Sequence, residues 1–167
     1  MKSAKITLYK SLLTSDIDVQ TFKRVDGVLS SETDQVKNAL SSDSDDQLDA
    51  QILMRLIETR DAEIRARLAF CLKQDQNETI SVTNEIDASD KFEYDLVVPD
   101  TCDVQKIKAI AKKMHNYIVQ GSLHDWYATQ NLKGNVSAEE LKDMEEEIAC
   151  LLRPSFVKRP LQPFGPR

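Results

Sequence analysis

His115 and His124 are the only histidines in the chain, nine residues apart. On one helix that spacing gives similar faces but not neighbouring positions. A helical zinc site wants histidines at i and i+4 with further ligands nearby. His124-Asp125 has the makings of half an acid–base pair, but no complete constellation accompanies it. Both histidines therefore read as surface or packing residues. Asp43, Asp45, Asp46 and Asp49 have the look of a calcium loop. The turn glycine is missing, with Leu48 nearby, and no glutamate closes the loop at its twelfth position. Four glycines are too few for a phosphate-binding loop, and no GxSxG nucleophile motif occurs. Glu145-Glu146-Glu147 reads as the solvated face of a helix. No catalytic residue, metal or cofactor is assigned, and the chain reads as non-enzymatic.

Charge is partitioned. The chain carries −6 overall, yet Arg153 to Arg167 holds four basic residues and no acidic one, which leaves −10 for the rest. An acidic body repels phosphate, so general or sequence-specific nucleic-acid binding is not expected. A basic segment on that body is suited to an acidic protein surface, including that of a second copy. Cys71, Cys102 and Cys150 are odd in number and far apart. That pattern fits a reducing compartment. No apolar run is long enough to span a membrane, and Met1 to Lys5 leads into no signal-peptide core. A soluble protein made in the cytoplasm is expected.

At 167 residues with 41% hydrophobic content, one domain with a real core is expected, without disulfide staples. Residues 5–13 alternate first like a strand and then do not, with Ile6, Leu8, Leu12 and Leu13 apolar. Ser15 to Leu29 predicts a short helix weakened by Gly27, and Ser31 caps a second one. Ser41 to Asp46 forms a turn and an acidic helix entry. The strongest helical stripe runs from Asp46 to Lys73, with pairs Asp61–Arg65 and Glu63–Arg67 at i,i+4. A gap in that stripe near Arg60 suggests packing against two neighbours. Thr79 to Asn84 and Phe92 to Val98 alternate, and predict an antiparallel hairpin at about 79–98. Two strands are marginal alone and need a helix beneath them or a strand from elsewhere.

Thr101 or Asp103 caps the next helix, which runs to about Asn131 with Val104, Ile107, Ile110, Met114, Tyr117 and Ile118 inward. Gly121 and Ser122 are small enough to admit another helix. Trp126 and Tyr127 suit either the core or a subunit interface. Ser137 and Glu140 form a capping box for a last helix, which ends at Arg153 before Pro154. The expected fold is mainly α: about four helices with one antiparallel hairpin over 1–153, then an extended arm over 154–167.

Four of the five prolines lie in that arm, which precludes helix and favours extended geometry. Phe156, Val157, Leu161 and Phe164 are spaced among Pro160 and Pro163, and Lys158, Arg159 and Arg167 supply charge. Apolar anchors on a stiffened chain lose little entropy on docking, so these residues are the expected partner-binding site.

The segments YDLVVPD, MHNYIVQGSLHDWYATQN and KRPLQPFGPR, in a chain of this layout, resemble small virion proteins of tailed phages and prophages of gut Bacteroides-type bacteria. In size and helical make-up the chain is similar to head–tail connector (adaptor) proteins. That resemblance implies a structural subunit, made in the host bacterial cytoplasm and located in the virion. It implies a ring between portal and tail, or against a second connector ring, with a terminal arm reaching into the neighbour. It implies no catalytic residues. The alternatives are a tail completion or terminator protein, a regulatory adaptor binding a protein through its proline-rich tail, and a metal-dependent enzyme using His115 and His124.

Overall fold

The computed structural model describes residues 1–27, 47–73, 88–129 and 136–153. Among them are two strands and four helices: β1 (Lys2–Tyr9), α1 (Lys10–Gly27), α2 (Gln47–Arg67), β2 (Lys91–Val98), α3 (Val104–Thr129) and α4 (Ala138–Leu152). The protein is mainly helical with a small antiparallel sheet. The expected helix after Ser31, the Ser41–Asp46 turn, the strand at Thr79–Asn84 and the arm lie outside the described residues.

The ambiguous N-terminal segment resolves into both of its signals. Its alternating half is β1 and its second half opens α1. β1 pairs antiparallel with β2 from Lys2↔Val98 to Tyr9↔Lys91. The partner that β2 is seen to take is thus a strand from elsewhere, far off in sequence. The alternation behaves as strand geometry requires. Ile6, Leu8, Phe92, Tyr94, Leu96 and Val98 are buried on one face, while Lys5 and Glu93 pair at 2.9 Å on the other. The second edge of β2 is met by a short stub after α2. There Val97 donates its N–H to the Cys71 carbonyl at 2.7 Å, and Lys73 donates to the Asp95 carbonyl at 2.8 Å. Hence α2 stops at Arg67 rather than continuing to Lys73: the chain turns to serve the sheet.

α3 is the central helix. It packs against α2, α4, α1 and β1. Ile110, Met114, Tyr117, Ile118, Trp126 and Tyr127 are buried along it, each large side chain contributing about 1.5–3 kcal/mol. Asp103 is the cap, its Oδ1 accepting the Lys106 N–H at 2.7 Å. Val104, expected to face inward, is instead 68% exposed, because it precedes the turn at which α3 meets the core. In α4 the capping box is present as expected. The Glu140 N–H donates to Ser137 Oγ at 3.2 Å, and the Ser137 N–H to Glu140 Oε2 at 2.7 Å. Those bonds hold the Glu140 carboxyl below its ordinary range.

Candidate functional site

Phe156, Val157, Lys158, Arg159, Pro160, Leu161, Pro163, Phe164 and Arg167 lie outside the described residues. What the structure describes is the residue that precedes them. α4 ends at Arg153, whose backbone is extended (φ −64, ψ 137) and whose side chain is half exposed. Trp126 and Tyr127 are buried, at 2% and 0% exposure. Of their two expected homes this is the core; they offer no surface to a neighbouring subunit. The i,i+4 arrangement on α3 that buries Trp126 also buries Ser122.

Each histidine lies beside a single aspartate. His115 Nε2 lies 2.7 Å from Asp16 Oδ2 of α1, and His124 Nδ1 lies 3.2 Å from the adjacent Asp125 Oδ1. Among the described residues no three His, Cys, Asp or Glu side chains stand close enough to hold a metal. Asp43, Asp45 and Asp46 are outside them. The glutamate run of α4, expected to be merely solvated, is tied to other elements. Glu145 pairs with Arg67 at 3.5 Å, Glu146 pairs with Arg67 and with Arg153, and Glu147 pairs with Lys113 at 2.7 Å.

Sequence reasoning missed an ion-pair system centred on α2. Arg60 reaches across to α3, donating from Nε and Nη2 to the two carboxylate oxygens of Asp125 at 2.9 and 2.6 Å. Its Nη1 donates to Glu63 Oε2 at 2.8 Å, an oxygen that also accepts the Tyr117 hydroxyl at 3.0 Å. Glu63 is therefore bound to Arg60 and not to Arg67 as expected. Burial works against the Arg60 charge, but the bonds and charges of Asp125 and Glu63 more than offset it and hold the guanidinium protonated. Gly121 makes the reach possible: a Cβ there would stand 2.7 Å from Arg60 Cδ. The small residue on α3 admits a side chain from α2 rather than only a helix backbone.

A second group links α2 to the sheet. The buried Tyr94 hydroxyl donates to Asp61 Oδ1. Arg65 Nε donates to Asp61 Oδ2 at 2.6 Å, as the i,i+4 spacing predicts. The Arg65 guanidinium lies 4.4 Å from the centroid of the Tyr94 ring. Burial first, then the Asp61 carboxylate, push the Tyr94 phenol well above its ordinary range. Lys10, 4% exposed, pairs with Glu58 at 2.9 Å and sits 4.9 Å from the Phe92 ring centroid.

Two clefts adjoin these elements. One, of about 430 Å³, is lined by Glu58, Asp61, Arg65, Ser89, Lys91, Phe92 and Glu93, with both charge signs interleaved. The other, of about 630 Å³, opens between the first half of β1 and the first turns of α3. Ala4, Val98, Cys102, Val104 and Ile107 make its apolar lining, Lys2 and Lys108 give it positive charge with the single carboxylate Asp103, and Lys5 at its edge is paired with Glu93.

No family model, curated protein or solved structure matches the chain.

The two polar systems are structural in their chemistry. Each carboxylate of Asp61, Glu63 and Asp125 is already engaged by a cation or a hydroxyl within the fold, so none is poised as a free acid or base. They lock α2 against α3 and the sheet. The basic cleft differs. Its lysines come from positions 2 and 108, far apart in sequence, and only the docking of α3 beside β1 gathers them. No helix among the described residues is long and apolar enough to cross a membrane.

Proposed function

We propose that the protein is a structural assembly subunit of a tailed-phage virion, a connector-type protein that forms a ring between portal and tail. The observation that carries this reading is the division of the chain into an acidic body and a basic, anchor-bearing arm. In sequence, residues 154–167 follow α4, whose C-cap Arg153 is half exposed. Phe156, Val157, Leu161 and Phe164 are its anchors, and Lys158, Arg159 and Arg167 its charges. Its target is protein, either the portal or an adjacent subunit, because a body carrying −9 repels nucleic acid and attracts the arm. The interlocked helices supply what such a subunit needs, a platform in which Arg60–Asp125 ties α2 to α3 and Tyr94–Asp61 ties α2 to the sheet. Chemistry plays no part in this role; shape and charge complementarity perform it.

Deleting residues 154–167 is the test. The truncated chain keeps the helical circular dichroism and melting of the full chain but enters no ring and supports no intact particle, as read by light scattering and electron microscopy. Truncated protein that still builds intact particles refutes the proposal. Terminase, portal and capsid genes beside its own would support the assigned process.

A further inference from the structure

Among the described residues β1 is paired along one edge only. Which of its residues face the open edge follows from β2. Asp95 and Val97 spend their backbone groups on Lys73 and Cys71, away from β1. Bonding alternates along an antiparallel strand. Phe92, Tyr94, Leu96 and Val98 therefore face β1, opposite Leu8, Ile6, Ala4 and Lys2. Ser3, Lys5, Thr7 and Tyr9 are left turning their N–H and C=O groups outward, a ready template for another strand. The cleft of about 630 Å³ lies along the first half of this same strand. Lys2 donates only to the neutral Asp100 carbonyl, at 2.8 Å, and Lys108 has no partner among the described residues. The one carboxylate there, Asp103, is committed to the Lys106 N–H. Val104, 68% exposed, offers apolar surface beside these lysines.

We propose that the open edge of β1 and its lysine-lined cleft dock residues 75–87 of a second copy of this chain, added as a third strand. In sequence that stretch carries Asp75, Glu78, Glu85 and Asp87 with no Lys or Arg, and places Ile80, Val82 and Ile86 at strand-face spacing. Its charge and its apolar side chains complement the cleft. The C-terminal arm does not fit: Lys158 and Arg159 are repelled, and Pro160 and Pro163 lack the N–H a strand must donate. A neighbouring copy is the natural donor. The described residue that precedes the stretch in the same chain, Lys73, is bonded to the far edge of β2, across the sheet from the open edge. The contact joins two different surfaces, and such head-to-tail contacts generate rings when the rotation closes. The inference rests on the ring reading above and supplies its subunit-to-subunit contact.

The test titrates the full-length chain into a fluorescein-labelled synthetic peptide of residues 75–87 and follows anisotropy at low salt. Saturable binding is expected. It should weaken about tenfold in the pair Lys2→Glu/Lys108→Glu through lost charge pairing. It should weaken comparably in Ser3→Pro, which removes an outward N–H and leaves the β1–β2 ladder intact. As a control independent of variant folding, a peptide with all four acidic residues changed to lysine is titrated into the wild-type chain, and should not bind. Absence of binding by the native peptide, equal binding by the lysine peptide, or undiminished binding by folded variants overturns the proposal. Competition by a peptide of residues 154–167 would overturn it as well. The arm deletion reads only the arm and this titration reads only the cleft, so either idea can fail while the other stands.

Discussion

Gly121→Ala separates two opposing effects of known sign. In the middle of a helix, alanine is favoured over glycine by about 1 kcal/mol, so propensity alone predicts a more stable protein. The fold predicts the reverse. The added Cβ would stand 2.7 Å from Arg60 Cδ and 2.8 Å from Nε, atoms in mid side chain rather than at a free end. Arg60 cannot swing aside cheaply, since its head is held by both oxygens of Asp125. Displacing it breaks a two-bond contact whose side chains are only 13% and 26% exposed. A charge-assisted hydrogen bond contributes about 1.5–3 kcal/mol, and partial exposure brings the pair to roughly 2–3 kcal/mol in all. Subtracting the propensity gain leaves a net loss of about 1–2 kcal/mol, a fall in melting temperature of roughly 2–8 °C for a chain of this size. The assay is urea unfolding of wild type, Gly121→Ala, Arg60→Ala and the double variant. In the Arg60→Ala background the clash is gone, so Gly121→Ala should there stabilise by about 1 kcal/mol. If Gly121→Ala stabilises in both backgrounds, Gly121 is not there for Arg60 and the reasoning is wrong.

Tyr94→Phe removes the hydroxyl bonded to Asp61, a carboxylate only 7% exposed. A loss of about 1–3 kcal/mol is expected in chemical denaturation, and an unchanged midpoint would show that the bond contributes nothing net. Burial pushes the Tyr117 phenol up from 10.0 to about 12, with the Glu63 charge adding to it. A raised pKa stabilises fully below the unfolded value and is lost toward the folded one, so this contribution fades between pH 10 and about 12. Unfolding midpoints at pH 9 and pH 11 should therefore differ less in Tyr117→Phe than in wild type. Thiol titration should find one fast group, Cys150, and two slow ones, since Cys71 and Cys102 are buried. Burial also pushes the Cys71 thiol up to about 11; three equally fast thiols would contradict this packing.

Much of the local structure was legible in the sequence. Periodicity located α2, α3 and α4. The Ser137–Glu140 spacing located the start of α4, and Pro154 its end. The alternation of Phe92, Tyr94, Leu96 and Val98 named the buried face of β2 before its partner was known. These features depend on neighbours within a turn or along one strand, so a short window contains their causes. The sequence also set the charge division between body and arm, on which the proposed function rests.

Tertiary structure decided the rest. The pairing of β2 with β1 joins residues as distant as Ile6 and Tyr94, and no local pattern names that partner. It also drew Cys71 to Lys73 out of the helical stripe, because their backbone groups bond to β2 instead. Glu63 and Arg67 have a favourable i,i+4 spacing, yet Glu63 pairs with Arg60 and accepts the Tyr117 hydroxyl of α3, while Arg67 pairs with Glu145 of α4. Lys2 and Lys108 came to share one basic cleft only when α3 came to lie beside β1. Local spacing fixes what a side chain can reach within its own element, while the choice among partners waits on which elements pack together. That packing is set by apolar burial over the whole chain.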